Sequence, residues 1–245
     1  MQKATYPVIS VICYLAFFVA FTYFIGFVGG FDFLPRHVDK GLSASPWQAG
    51  LIDAVLIALF GAQHSIMARR GFKEAWTRIV PLPLERSVYC LFSAIALAVL
   101  YAFWHPLTGI VWEVTSPLAQ SIIWGLFASG FIVVFISTWL LSHFDLFGLA
   151  QMWRHVRGKP EPVPVMHTPL FYRWVRHPIY AGFFIALWAA PTMTLGHLLL
   201  AAGLTIYLLI GIAYEEKDLI ALFGDEYRAY RSKVGMILPG IGRSN

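Results

Sequence analysis

Charge is what this chain has least of. Only 13% of its 245 residues are charged while 58% are hydrophobic, against roughly 25% and about 45–50% in a soluble domain. Such a sequence cannot cover a water-soluble globule with polar surface, and a mean hydropathy of +0.67 points the same way. Lipid must supply part of the solvent. Cysteine is nearly absent: Cys13 and Cys90 both sit inside apolar runs, which excludes a disulfide framework and a cysteine-rich metal site. No metal site is expected from the remaining ligand types either. The net charge of +5 suggests basic cytoplasmic loops and no nucleic-acid partner. Internal repeats and low-complexity tracts are missing as well.

Long apolar runs are present instead. A helix crossing the hydrocarbon core needs about 20 mostly apolar residues, and runs of this kind occur at residues 7–30, 47–68, 87–104 and 118–142. The first is too long for a signal peptide and lacks a small-residue cleavage pattern, so it reads as a span. Residues 179–213 are apolar throughout but carry Pro191 and Gly196, which break a helix. That stretch predicts a helix-turn-helix, residues 179–190 and 197–213. The fold class expected is an all-α polytopic transmembrane bundle of about five or six spans, with residues 1–245 forming a single membrane domain.

Loop charges orient it. Residues 69–86 hold five basic and two acidic residues, and residues 143–177 again hold five against two; residues 31–46 and 105–117 balance to 0 and −1. The positive-inside rule places the basic loops and both termini in the cytoplasm. The remaining cytoplasmic segments are too short for a separate domain, so chemistry is expected at the inner mouth of the bundle.

Polar residues concentrate there. The run Arg176-His177-Pro178-Ile179-Tyr180-Ala181-Gly182 is followed some thirty residues later by Glu215-Glu216. An antiparallel helix pair would bring both ends to one side of the membrane. Pro178 suits a first helical position, leaving backbone N–H groups that favour an anion. With the carboxylates and Tyr180, this set suits a zwitterionic, nucleotide-like ligand. A plainer reading has Arg176 and His177 anchoring a helix at the headgroups and the glutamates solvated. Among other polar residues, Asp53 lies inside a span and reads as an interhelical hydrogen-bonding residue. His37 and His155 read as solvated, and His197 as a cap of the outer turn.

Arg176-His177-Pro178-x-Tyr180-x-Gly182, Glu215-Glu216, Phe223-Gly224-x-x-Tyr227-x-x-Tyr230 and Pro239 together resemble the C-terminal signature of the isoprenylcysteine carboxyl methyltransferase-like superfamily of membrane enzymes. Residues 61–69, 143–149 and 184–199 are similar to the corresponding stretches of bacterial methanethiol S-methyltransferases. The resemblance implies a bacterial inner-membrane enzyme that binds S-adenosylmethionine within residues 167–239. It assigns cofactor contacts to Arg176, His177, Tyr180, Gly182, Glu215, Glu216 and Tyr227, with the Tyr227–Tyr230 segment folding over the ligand. It further implies methylation of a small volatile thiol, methanethiol, to dimethyl sulfide, with release of S-adenosylhomocysteine.

A thiol acceptor needs deprotonation, since the comparable cysteine thiol has a pKa of about 8.5. Three residues near the inner mouth are candidates for that work: His64, His143 and Asp145, the histidines ranked ahead of the aspartate, with a histidine–aspartate pair able to fix the ring tautomer. Competing readings keep the cofactor and change the acceptor to a prenylcysteine carboxylate or a lipid amine. Others replace it by a nicotinamide reductase or a non-enzymatic membrane assembly factor.

Overall fold

The computed structural model of the protein describes residues 2–243. Its helices are α1 (Gln2–Val28), α2 (Pro46–Ala68), α3 (Arg70–Trp76), α4 (Glu85–Phe103), α5 (Pro117–Leu140), α6 (His143–Leu146), α7 (Leu149–Val156), α8 (Pro178–Trp188), α9 (Leu195–Phe223) and α10 (Asp225–Lys233). Two short strands, β1 (Ile110–Glu113) and β2 (Thr192–Thr194), pair with each other. The all-α reading holds, and α1, α2, α4, α5 and α9 are long and apolar enough to cross a bilayer. The protein is a multi-pass membrane protein. Proline at the first helical position starts α2, α5 and α8, where its fixed φ is pre-set for a helix and its missing N–H is not needed. Along α1 the exposed side chains Val8, Ile12, Leu15 and Val19 recur at helical spacing, a face suited to lipid.

The chain groups into two compact units. The first holds α1 to α4, α6, α7 and residues 195–203 of α9; the second holds α5, α8, α10 and the rest of α9.

In the first unit α4 is bonded to α1 at two levels. Tyr101 donates its hydroxyl to the Ala20 carbonyl at 3.0 Å, and Ser87 donates to the Ser10 hydroxyl at 2.9 Å. Asp53 is fully buried, and its Oδ1 accepts the backbone N–H of His105 at 2.9 Å. The expected bond to a neighbouring helix is not what forms: the partner is a backbone amide in the loop two residues beyond the end of α4. Two histidine expectations change. His37 is buried, with Nδ1 accepting the Asp39 amide at 3.2 Å. His197 is also buried, and the cap of α9 is Thr194, whose hydroxyl accepts the His197 N–H at 3.1 Å. A threonine just before the first helical residue satisfies an otherwise orphan amide.

In the second unit α5 and α8 cross in close contact. A Cβ on Gly182 would come within 2.5 Å of the Gly130 carbonyl oxygen, and one on Gly130 within 2.6 Å of that of Gly182. Only two glycines permit this approach, the small-residue packing common between membrane helices. At 11 residues, α8 is about 16 Å long, half the hydrocarbon core. By contrast α9 is one helix of 29 residues, running well past the expected end at residue 213. Glu215, Glu216, Lys217, Leu219 and Ala221 are good helix formers, and the helix stops only at Gly224, whose φ of +57° turns the chain into α10.

Candidate active site

The polar start of α8 is built by a chain reversal. After α10 the backbone returns alongside residue 175, with a parallel bridge between Val175 and Gly235. Arg176 N–H then donates to Gly235 O at 2.8 Å and His177 N–H to Met236 O at 3.1 Å. These two amides are committed to the C-terminal turn. By helix geometry the donors left at this helix start are those of Ile179 and Tyr180.

The Arg176 guanidinium is buried and serves as a clamp. Its Nε and Nη2 donate to Glu216 Oε1 at 2.7 and 2.6 Å. Nη1 donates to the carbonyls of Arg231 and Val234, and Nη2 to that of Gly242 at 3.1 Å. One side chain thereby fastens α9, α10 and the C-terminal turn to the start of α8. Glu216 is also approached by Arg231 Nη1, 3.5 Å from Oε2.

His177 stands between the two glutamates, with Nε2 3.2 Å from Glu216 Oε1 and Nδ1 3.5 Å from Glu215 Oε2. Burial works against a charge on the imidazole, but the hydrogen bonds and negative charge of Glu215 and Glu216 outweigh it and raise its pKa. Tyr180 presents its ring edge-on to His177 at 5.5 Å between centroids. From α10, Tyr227 is buried, and its neighbour Tyr230 donates to the Tyr172 carbonyl. Burial pushes the phenols of Tyr172 and Tyr227 up, reinforced by Glu215 and Glu216, and pushes Tyr230 up to about 12. All three remain protonated at neutral pH, so Tyr227 offers a hydrogen-bond donor.

The Tyr227 hydroxyl is buried without a hydrogen-bond partner, and Glu215 Oε2, also buried, has His177 Nδ1 at 3.5 Å and no closer donor. Buried polar groups are normally satisfied, so this donor and acceptor fit a ligand. Charge points to the same conclusion. Glu216 is neutralised by Arg176 and Arg231, whereas among the described residues Glu215 pairs with His177 alone and its side chain is 41% exposed. A part-exposed carboxylate held by a single imidazole at 3.5 Å has room for a second positive charge.

Arg176, His177, Tyr180, Glu215, Glu216 and Tyr227 are therefore brought together as expected from the sequence. Gly182 is not part of this group: its missing side chain is accounted for by the crossing with α5. Arg176 is spent on protein partners, a structural role in place of the anticipated ligand contact. Sequence reasoning did not single out Tyr172, Arg231 or the carbonyls of the C-terminal turn. Arg231 could have been found four residues after Tyr227 on one helix face, but no side-chain pattern marks a backbone carbonyl.

The proposed bases lie in the first unit. His64 has Nδ1 3.0 Å from the Ser93 hydroxyl and its ring against Phe60 and Tyr89 at 5.6 and 4.9 Å. His143 is 2% exposed, its Nε2 3.0 Å from the Tyr14 hydroxyl, within a shell formed by Phe18, Phe144 and Phe147. Burial pushes its pKa down, which favours the neutral ring and weakens it as a proton acceptor. Asp145 engages Arg154 Nη2 at 2.6 Å.

Comparison with known proteins places the sequence in a family. Over 94% of its length the chain is 50% identical to methanethiol S-methyltransferase 1 of Bradyrhizobium diazoefficiens, covering 80% of that protein. It is 48% identical to the methanethiol S-methyltransferase of Mycobacterium tuberculosis, over 92% of each chain. It is 43% identical to that of Crocosphaera subtropica, over 96% of this chain and 92% of the relative. No protein-family profile and no solved structure matches the chain. At such identity over nearly the whole length, the chain belongs to the methanethiol S-methyltransferase family.

Proposed function

We propose that this protein methylates methanethiol to dimethyl sulfide, with S-adenosylmethionine as donor and S-adenosylhomocysteine as second product. The observation that carries the reading is the cluster at His177, where the buried Tyr227 hydroxyl lacks a hydrogen-bond partner and Glu215 Oε2 has only the loose His177 contact at 3.5 Å. A ligand with an ammonium, a sulfonium and hydroxyl groups satisfies both atoms. When bound, S-adenosylmethionine supplies a methyl group activated by positive sulfur.

The side chains divide the work. Glu215 holds positive charge, Tyr227 donates a hydrogen bond, and Arg176 keeps α8, α9 and the C-terminal turn in register. Alignment of nucleophile and methyl is the main lever in an in-line displacement and can contribute about 7–11 kcal/mol when geometry is held. The thiol must also lose its proton, work for which the sequence offers His64 and His143. The new carbon–sulfur bond then forms as the donor's breaks. Loop charge supports an inner-membrane setting with both termini in the cytoplasm.

The test is direct. Purified protein supplied with S-adenosylmethionine and methanethiol should release dimethyl sulfide into the headspace, read by gas chromatography. A signal no higher than that of boiled protein removes the reading.

A further inference from the structure

The cluster at His177 holds more cation than its two glutamates use. Among the described residues, the cationic side chains paired with Glu215 and Glu216 are Arg176, His177 and Arg231. Every N–H of the Arg176 guanidinium is taken, by Glu216 and by the carbonyls of Arg231, Val234 and Gly242. His177 is buried, with each ring nitrogen turned to a glutamate. Arg231 differs on both counts. Its side chain is 29% exposed, and its ionic contact is a loose one, Nη1 to Glu216 Oε2 at 3.5 Å. Glu216 Oε1 is meanwhile served by Arg176 at 2.7 and 2.6 Å and by His177 at 3.2 Å. Arg231 is therefore the cation in surplus.

Position agrees with charge. Tyr227 and Arg231 are four residues apart on α10, so they project from one face of that helix. Tyr227 is 3% exposed, its hydroxyl has no hydrogen-bond partner, and the charges of Glu216 and Glu215 both reach its phenol. The helix face that brings an unused donor toward the glutamates thus carries the loosely held guanidinium as well. From α9, Glu215 adds a carboxylate whose Oε2 has only His177 Nδ1, at 3.5 Å. A carboxylate, a hydroxyl donor and a guanidinium grouped about one imidazole complement an α-amino acid zwitterion, its ammonium toward Glu215 and its carboxylate toward Arg231 and Tyr227. The guanidinium fork matches a carboxylate with two parallel hydrogen bonds. We propose that Arg231 binds the amino-acid carboxylate of the S-adenosyl ligand and so selects ligands that retain it. This deepens the function proposed above and rests on its choice of methyl donor.

The experiment is calorimetry of the purified protein with S-adenosylhomocysteine and with its decarboxylated analogue, in parent, Arg231→Gln and Arg231→Lys. The parent should bind the intact ligand about 10–100-fold more tightly than the analogue, the worth of hydrogen bonds to a charged group. Arg231→Gln should weaken S-adenosylhomocysteine by a similar factor and leave the Kd of the analogue unchanged, so that the preference disappears. Arg231→Lys, which keeps the charge and loses the fork, should retain part of it. Equal weakening of both ligands means that Arg231 acts only through Glu216, which overturns the carboxylate contact and leaves the donor assignment standing. A parent without preference for the intact ligand does the same. A parent that binds neither ligand overturns the donor assignment as well. Substitution at 231 keeps the backbone carbonyl that Arg176 uses; if Arg231→Gln still fails to accumulate, the ratio in Arg231→Lys decides.

Discussion

Glu215 and Glu216 are adjacent and chemically identical, yet the structure gives them opposite jobs, and glutamine substitutions should separate these. Glu216 Oε1 takes two hydrogen bonds from Arg176, at 2.7 and 2.6 Å, and lies 3.2 Å from His177 Nε2. Hydrogen bonds to charged groups contribute about 1.5–3 kcal/mol, and truncating one partner of a buried ion pair costs about 3–5 kcal/mol. Glutamine keeps one acceptor but no charge, so Glu216→Gln should cost about 2 kcal/mol. For a chain of this size that is a fall of about 4–8 °C in unfolding midpoint. Glu215 is 41% exposed with its nearest cation 3.5 Å away, a pair contributing about 0–1 kcal/mol. Glu215→Gln should leave the midpoint nearly in place and weaken S-adenosylhomocysteine binding about tenfold, a loss of about 1.4 kcal/mol. Thermal unfolding in detergent and calorimetric titration read the two effects separately. Equal midpoint shifts in both variants, or full ligand affinity in Glu215→Gln, would refute the division of labour.

Other consequences concern pH, packing and proton transfer. Because folding raises the His177 pKa, its protonation stabilises the fold below the unfolded value of about 6.5 and that contribution is lost as pH rises through the folded value. The unfolding midpoint should fall over this window, and His177→Gln should flatten the slope; an equal slope in the variant contradicts it. Gly182→Ala pushes a methyl toward the Gly130 carbonyl and should cost about 1–3 kcal/mol, seen as a lower midpoint; an unchanged midpoint means α5 and α8 separate freely. His143→Ala or His64→Ala should reduce turnover more than ligand affinity, with partial recovery at alkaline pH as the thiol ionises unaided. Whichever variant recovers identifies the base, and flat profiles in both exclude these histidines.

Much of this was legible in one dimension. Membrane class followed from scarce charge, and spans from runs of apolar residues, because the bilayer imposes length and composition locally. The meeting of His177 with Glu215 and Glu216 was legible too, since an apolar hairpin must return its two polar ends to one surface. The end of α9 was less so: hydropathy stops near residue 213, but helix propensity carries the segment to Phe223.

The tertiary structure decided how each residue is employed. Arg176 and Gly182 belong to the same short motif as His177, yet one clamps carbonyls some sixty residues away and the other lets α5 approach. The amide that Asp53 receives and the carbonyl that Tyr230 meets are backbone groups, which every residue type carries alike. No sequence pattern distinguishes one such group from another. Their selection depends on where distant segments pack, and so does the contrast between a neutralised Glu216 and an open Glu215. Residue type set which interactions were possible; three-dimensional proximity set which were made.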